Sequence, residues 1–265
     1  MKLDLSAKKR IVIKLGTSTL THESGLLNIR KIEKLVKCLA DLQNSGKQLV
    51  VVSSGAIGCG LAKLDLAGKQ LTTIEKQACA AVGQCELIDI YDRNFALYGH
   101  KIAQILMNKD VVDDIPRRDS ARNTINTIIS FGCIPIVNEN DTLSNEQITF
   151  GSNDTLATSV ARLVNAELII NMSDIDGLYD KNPREYPDAA LIEYIPKIDD
   201  KIKSYAGGAG SKRGTGGMVT KLQAAESAVR HGIPMIIVNG ANPEILYDIF
   251  DGNFKGTYFE AEEIK

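Results

Sequence analysis

The sequence is short of the groups on which several kinds of chemistry depend. It has three histidines in 265 residues and no His-x-x-x-His pair, which argues against a zinc ion held by protein side chains. Its five cysteines, at 38, 59, 79, 85 and 133, are odd in number and form no Cys-x-x-Cys. Neither a disulfide framework nor a zinc knuckle is therefore expected, and a reducing cytoplasm fits best. No apolar run approaches the roughly 20 residues of a membrane span. The opening Met-Lys-Leu-Asp-Leu-Ser-Ala-Lys-Lys-Arg lacks the apolar stretch of a signal peptide. A formal net charge of −2 leaves no basic surplus to attract nucleic acid or an anionic membrane. Familiar nucleotide signatures are missing too. There is no Gly-x-x-x-x-Gly-Lys-Ser/Thr loop, no Gly-x-Gly-x-x-Gly after the first strand, and no His-Arg-Asp or Asp-Phe-Gly of protein kinases. A Gly-x-Ser-x-Gly elbow is also lacking.

What is present is a chain 44% hydrophobic, enough for one large core or two fused lobes. Strand-like and helix-like segments alternate along it. Strands are expected at 11–15, 48–52, 101–107, 134–137, 167–172 and 235–238, with a tail at 256–260 read as an edge strand. Helices are expected at 29–42, 74–98, 120–131, 155–164, 219–230 and 244–250, from apolar residues recurring at helical spacing and glycines past several ends. Residues 138–152 and the segment from 173 to 187 read as polar loops. Apolar strands without polar alternation, interleaved with helices, predict a mostly parallel sheet covered on both faces. Ligands in such sheets bind beyond the carboxyl ends of the strands.

The residues with chemical potential lie at those strand ends. Lys14 precedes Gly16-Thr17-Ser18, which fits a phosphate contact or a lysine snorkelling to solvent. Ser54-Gly55-Ala56 opens a helix whose free amides suit a substrate carboxylate, or is an ordinary N-cap. Asp141, after Asn138-Glu139-Asn140, either holds a substrate ammonium or sits in a polar turn. Asn153 and Asp154 are a helix cap, or a substrate contact and an organiser of lysines. Ser173 to Tyr179 is suited to an adenine and ribose pocket, and matches a calcium loop only in its first residues. Gly214 to Lys221 is a glycine loop feeding a helix. Two lysines in glycine-rich turns, Lys14 and Lys221, suit phosphoryl transfer, whose transition state spreads negative charge over several oxygens.

In order along nearly the whole chain, Lys-Leu-Gly-Thr-Ser, Ser-Ser-Gly-Ala, Val-Asn-Glu-Asn-Asp, Ser-Asp-Ile-Asp-Gly-Leu-Tyr and Gly-Thr-Gly-Gly-Met-x-Thr-Lys-Leu-Gln-Ala-Ala resemble the motifs of the amino acid kinase family, in particular its glutamate-phosphorylating members. The resemblance implies an α/β fold, a three-layer α/β/α sandwich with a mainly parallel eight-stranded sheet. It implies a single kinase domain over 1–265, the N-terminal part binding glutamate and the C-terminal part ATP, without the PUA domain of many bacterial members. The implied reaction is ATP-dependent phosphorylation of the side-chain carboxylate of L-glutamate to L-glutamyl 5-phosphate, the first step of proline biosynthesis, with Mg²⁺, in the cytoplasm. Matched motif by motif, Lys14, Lys221 and Asp154 would be catalytic. Ser54, Gly55, Ala56, Asp141 and Asn153 would bind glutamate. Lys14, Gly16, Ser173, Asp174, Thr215, Gly216, Gly217, Met218 and Lys221 would bind ATP, and no side chain is assigned to the metal. Expected partners are proline as feedback inhibitor, further copies of the chain in a dimer or tetramer, and glutamyl-phosphate reductase, but neither nucleic acid nor membrane. The chain departs from the family at 151–154, where Gly-Ser-Asn-Asp replaces a frequent Gly-Asp-Asn-Asp, so Ser152 removes a carboxylate. The absence of histidine in 53–60 counts against an isopentenyl phosphate acceptor, and Asp141 favours a free α-amino acid over an N-acetylated one.

Overall fold

The computed structural model describes residues 3–22, 24, 26–144, 152–206 and 217–263. In chain order the elements are β1 (Arg10–Leu15), α1 (Thr17–Leu20), α2 (Ile29–Asn44), β2 (Gln48–Ser53), α3 (Ala56–Lys63), α4 (Thr73–Ala96), β3 (Ile102–Met107), α5 (Lys109–Asp113), α6 (Ile115–Ser130) and β4 (Ile134–Glu139). They continue with α7 (Asn153–Leu163), β5 (Leu168–Ser173), β6 (Tyr194–Ile195), α8 (Asp200–Tyr205), α9 (Met218–Arg230), β7 (Met235–Asn239), α10 (Ile245–Phe250) and β8 (Gly256–Phe259). The strands form one eight-stranded sheet in the order β3-β4-β2-β1-β5-β7-β8-β6, in which β7–β8 is the antiparallel pair.

Why the central strands are apolar throughout is visible in their parity. Successive strand residues face opposite sides of a sheet. Ile11, Ile13 and Leu15 join one core with α2, α4 and α10, whereas Val12 joins a second core with α6, α7 and α9. The same alternation divides Leu49 and Val51 from Val50 and Val52, and Ile170 and Met172 from Ile169. Two apolar faces on one sheet produce the α/β/α sandwich. Parity also sends Lys14 to the side of Val12, into the layer that holds α7 and α9.

Three differences from the sequence expectation have a clear local cause. Strand β4 runs two residues past Val137, because Asn138 and Glu139 stay paired with Leu106 and Met107 of β3. Helix α6 starts at Ile115 rather than near 120: the Asp114 side chain accepts from Arg117 N and a proline occupies the first turn, where its missing N–H costs nothing. The tail strand β8 is not an edge, since the two-residue β6 pairs along its outer side and β6 and β3 are the edges.

The start of α3 is placed by unusually close packing on α4. A Cβ on Gly83 would lie 1.8 Å from Ala56 O and 2.3 Å from Gly60 N, and one on Gly60 would lie 1.8 Å from Cys79 O. Only glycine permits these backbones to touch. A Gly→Ala change at an open helix position would stabilise by about 1 kcal/mol. At Gly83 the steric conflict reverses the sign: Gly83→Ala should destabilise by about 3 kcal/mol. Urea denaturation reads this directly, and an unchanged or raised midpoint would refute the close-packing account.

Candidate active site

Lys14, on β1, reaches over the sheet to Asp154 in the first turn of α7, with Nζ 2.7 Å from Oδ1. Lys221, one turn into α9, places its Nζ 3.2 Å from the other oxygen, Oδ2. Asn171 of β5 lies beside Lys14 in register and donates from Nδ2 to Asp154 Oδ1 at 2.8 Å. All are buried; the Asp154 side chain is 1% exposed and each lysine side chain 7%. The three ionised groups sum to one positive charge, a setting suited to an anion.

Their electrostatics are tightly linked. Burial pulls the Lys14 pKa below its ordinary value, Asp154 works against that, and the Lys221 charge adds to the lowering. Burial pushes Asp154 upward, but the charges of Lys14 and Lys221 and the hydrogen bonds from Lys14 and Asn171 outweigh it and hold the carboxyl below its usual range. Gly16, just after Lys14, donates its N–H to Met172 O at 3.2 Å, and a Cβ there would come within 3.8 Å of the Lys14 Nζ.

A second group of residues lies on the β2–β4 side. Gly55 adopts φ +107, a left-handed turn that glycine accommodates, and caps the start of α3 without any side-chain bond to its amides. Glycine supplies no side-chain cap to those amides, which suits the helix start to an anion. Asn153 Nδ2 lies 2.8 Å from Ser54 Oγ, 3.0 Å from Ser53 O and 3.1 Å from Asn138 Oδ1, while its own Oδ1 is buried without a partner among the described residues. Asn138 passes the chain on, donating from Nδ2 to Gln84 Oε1 at 2.9 Å. Asp141 lies just beyond β4, where burial and then the negative charge of Glu139 raise its pKa to about 6. Ser152 caps α7 by accepting from Thr155 N.

On the other side of Lys221 a cavity of about 280 Å³ is lined by Asp174, Gly177, Tyr179, Arg184, Tyr186, Tyr205, Gly217, Met218 and Lys221, among others. Its wall is pinned from behind. Asp176 accepts from Asn239 at 2.9 Å, from the Tyr179 hydroxyl at 3.0 Å, and from Lys255. Leu178 N donates to Thr257 Oγ1 at 2.8 Å, and a Cβ on Gly177 would lie 2.3 Å from that oxygen. The Asp176 carboxylate is thus spent on holding the loop. Ser173 Oγ donates to Asp174 Oδ1 at 3.2 Å, and Arg184 sits 3.6 Å from Asp174.

Lys14, Asp154 and Lys221 are thus brought into contact, and Ser54 and Asn153 are bonded to each other. Gly55 and Ala56 form the start of α3, Asp141 follows β4, Asp174, Gly217 and Met218 line the cavity, and Ser173 ends β5 beside it, bonded to Asp174. Thr215 and Gly216 fall outside the described residues. Sequence reasoning did not single out Asn171, Gln84, Arg184, Tyr186 or Tyr205. Asn171 did leave a trace, as the one polar residue within the buried run Leu-Ile-Ile-Asn-Met. Among the described residues no group of three or more His, Cys, Asp or Glu side chains is placed to hold a metal, and no helix is long and apolar enough to cross a membrane.

A mainly parallel sandwich in which a strand-borne and a helix-borne lysine share one carboxylate, between a helix start and a cavity, is the architecture of a phosphotransferase. The chain belongs to the amino acid kinase family, whose profile matches residues 9–239. Within that family it is similar to the glutamate 5-kinase of Clostridium perfringens, 50% identical over 267 residues that cover 99% of each chain. It is similarly related to the glutamate 5-kinase of Clostridium tetani, 51% identical over 253 residues, 96% of this chain and 95% of that one. Among solved structures, the UMP kinase of Ureaplasma parvum shares the fold with a TM-score of 0.66 at 15% identity, covering 96% of this chain and 99% of that one.

Asp154 compensates two buried cations, so its removal should cost about 3–5 kcal/mol of stability. Asp154→Asn is the variant to compare with wild type by urea denaturation over a range of pH. Because the folded pKa is depressed, the contribution is fully present above the unfolded value of about 3.9 and is lost as pH falls through the lower, folded value. The difference between the two proteins should accordingly shrink on acidification below that point. A gap that stays constant down to low pH would contradict this assignment.

Proposed function

We propose that this chain transfers a phosphoryl group from ATP to the side-chain carboxylate of L-glutamate, forming L-glutamyl 5-phosphate and ADP, the first step of proline biosynthesis. The activity carried by its half-identical relatives supplies the substrates. The observation that carries the reading is the buried Lys14–Asp154–Lys221 group, set between an open helix start and a cavity. In this reading 1–265 acts as one kinase domain. Glutamate lies over β2 and β4 against Ser54, the Gly55–Ala56 amides, Asn153 and Asp141. ATP occupies the cavity beside β5, with its phosphates toward Gly16, Ser173, Asp174, the segment Thr215 to Met218 and the two lysines.

The chemistry asks little of a base. A glutamate side chain with a pKa of about 4.3 is already ionised at neutral pH. Its approach to a phosphate is opposed by like charge, and the two ammonium groups offset that opposition as charge redistributes during in-line transfer. Asp154 keeps both ammonium groups in place. Mg²⁺ would fit this site as an ion carried mainly by the ATP phosphates: Asp154 is occupied by lysines, and Asp174 is one of the carboxylates that line the cavity. When bound, it supplies further neutralisation of the phosphate charge. Proline fits as an inhibitor because it shares the α-carboxylate and charged α-nitrogen of glutamate but has no side-chain carboxylate to phosphorylate. Cytoplasmic location, assembly into a homo-oligomer and hand-over of the labile acyl phosphate to a reductase follow from the resemblance.

The direct test is ADP formation with a panel of acceptors. Glutamate should be the best of them, ahead of N-acetylglutamate, aspartate, UMP and isopentenyl phosphate; another preferred acceptor would overturn the reading. Lys14→Ala and Lys221→Ala should each lower kcat by about 10²-fold or more. Near-normal turnover in either folded variant would remove that lysine from the reaction. Asp141, with its pKa of about 6, should lose its charge as pH falls through that value. The KM for glutamate and the inhibition constant for proline should both rise below pH ~6, while the KM for ATP changes little. Parallel changes for both substrates would argue against an ammonium contact at Asp141.

A further inference from the structure

Helix α4 carries three polar side chains on its inward face at seven-residue spacing. Gln77 Nε2 donates to Ser144 O at 2.7 Å, Gln84 Oε1 accepts from Asn138 Nδ2 at 2.9 Å, and the Tyr91 hydroxyl lies 2.9 Å from Ser53 Oγ. Seven residues are close to two helical turns, so all three lie on the face of α4 turned toward β2, β4 and the segment after β4. Gln84 differs in having a donor left over. It is 8% exposed, and its Nε2 is buried with no hydrogen-bond partner among the described residues. An unmet buried donor is costly, so its retention calls for a reason.

The direction of this amide is fixed by backbone groups that cannot exchange roles. Ser53 O can only accept, so Asn153 turns its NH₂ toward it. Glu139 N–H can only donate, so Asn138 turns its Oδ1 toward that amide, 2.9 Å away, and its Nδ2 toward Gln84. Gln84 must then offer Oε1 to Asn138 and keep its NH₂ pointing elsewhere. Reversing Gln84 would set one NH₂ against another.

Position identifies the acceptor. Lys14 is level with Val52, and Val52 with Val137, the residue before Asn138. Two strand spacings, roughly 10 Å, therefore separate Lys14 from this part of β4. A glutamate whose side-chain carboxylate meets Lys14 turns its α-end toward β4, where Asp141 and Gln84 lie. We propose that Gln84 reads the substrate: its Nε2 donates to the α-carboxylate while Asp141 takes the α-ammonium group. This rests on glutamate being the acceptor.

Gln84→Glu separates reading from positioning. It keeps an oxygen for Asn138 and replaces the free donor with an acceptor. The KM for glutamate should rise at least about tenfold with the KM for ATP within about twofold. An unchanged glutamate KM would overturn the proposal. Should Gln84→Glu fail to fold, Gln84→Met can be compared on glutamate and on its α-carboxamide, whose side-chain carboxylate is still free to accept phosphate. Wild type should prefer glutamate, and the ratio of the two kcat/KM values should fall about tenfold or more in Gln84→Met; an unchanged ratio would overturn the role of Gln84. A wild-type enzyme that ignores glutamate altogether would overturn the functional reading itself, and this proposal with it.

Discussion

Two ammonium groups and one carboxylate buried side by side are the constraint to which the rest of the fold is fitted. Removing such ions from water costs several kcal/mol each, and the cost is recovered only in good contact geometry. The three come from different elements: Lys14 from β1, Asp154 from α7 and Lys221 from α9. Strand parity turns Lys14 to the α7 and α9 face. Asn171, on the neighbouring strand and in register, completes the coordination of Asp154. Displacement of any one of these elements would strand a charge, so the sandwich and the charge cluster hold each other in place.

From this centre the carboxyl edge of the sheet works as a ruler. Strand β1 lies between β2 and β5, so Lys14 stands between the polar residues at the ends of β2 and β4 and the cavity beside β5. Helix α7 couples the two sides within its first two residues. Asn153 turns toward Ser53 and Ser54, and Asp154 toward the lysines. Rigid elements carry the groups on the acceptor side: Gly60 and Gly83 bring α3 against α4, which places the open amides of α3 close to the polar stripe of α4. Preorganisation of this kind matters because misplacement of about 1 Å is enough to lose most of the benefit of proximity.

The sequence made the fold and the cluster largely legible for a physical reason. Strands buried on both faces must be apolar throughout, so a lysine at the end of one, as at Lys14, stands out, and glycines before a helical run, as before Lys221, mark a backbone open to a ligand. Helix-borne polar residues gave no such signal. Gln84 has the same appearance in sequence as a solvated helix residue, because only the packing of α4 decides which side is inward. The end of β4 was misread for a related reason: Asn138 and Glu139 look like turn residues, yet Asn138 is satisfied inside by Gln84, Asn153 and Glu139 N–H. The start of α6 lies ahead of its helical pattern because Asp114 caps it and its proline occupies the first turn. Two-residue strands such as β6 carry too little pattern to be read at all, so in sequence β8 has the look of an edge. Tyr205, at the end of α8, reaches a cavity built mostly by the loop after β5, and spacing cannot reveal that.

The scarcity of histidine, with which the sequence first drew attention, is explained by the same electrostatics. An alcohol acceptor must lose a proton as it attacks, and a base near neutral pKa helps it do so. A carboxylate acceptor arrives deprotonated, so for the proposed reaction a base would have nothing to remove. The remaining difficulty is repulsion: two unit charges of like sign 4 Å apart oppose each other by about 4 kcal/mol at the effective dielectric of a protein surface. Fixed cations answer that difficulty, provided they stay charged and in place. Burial threatens the first condition by lowering the Lys14 pKa, and Asp154 counters it while supplying the second. Neutralising Asp154 would therefore weaken the cluster in two ways at once, leaving the lysines less firmly held and Lys14 easier to deprotonate.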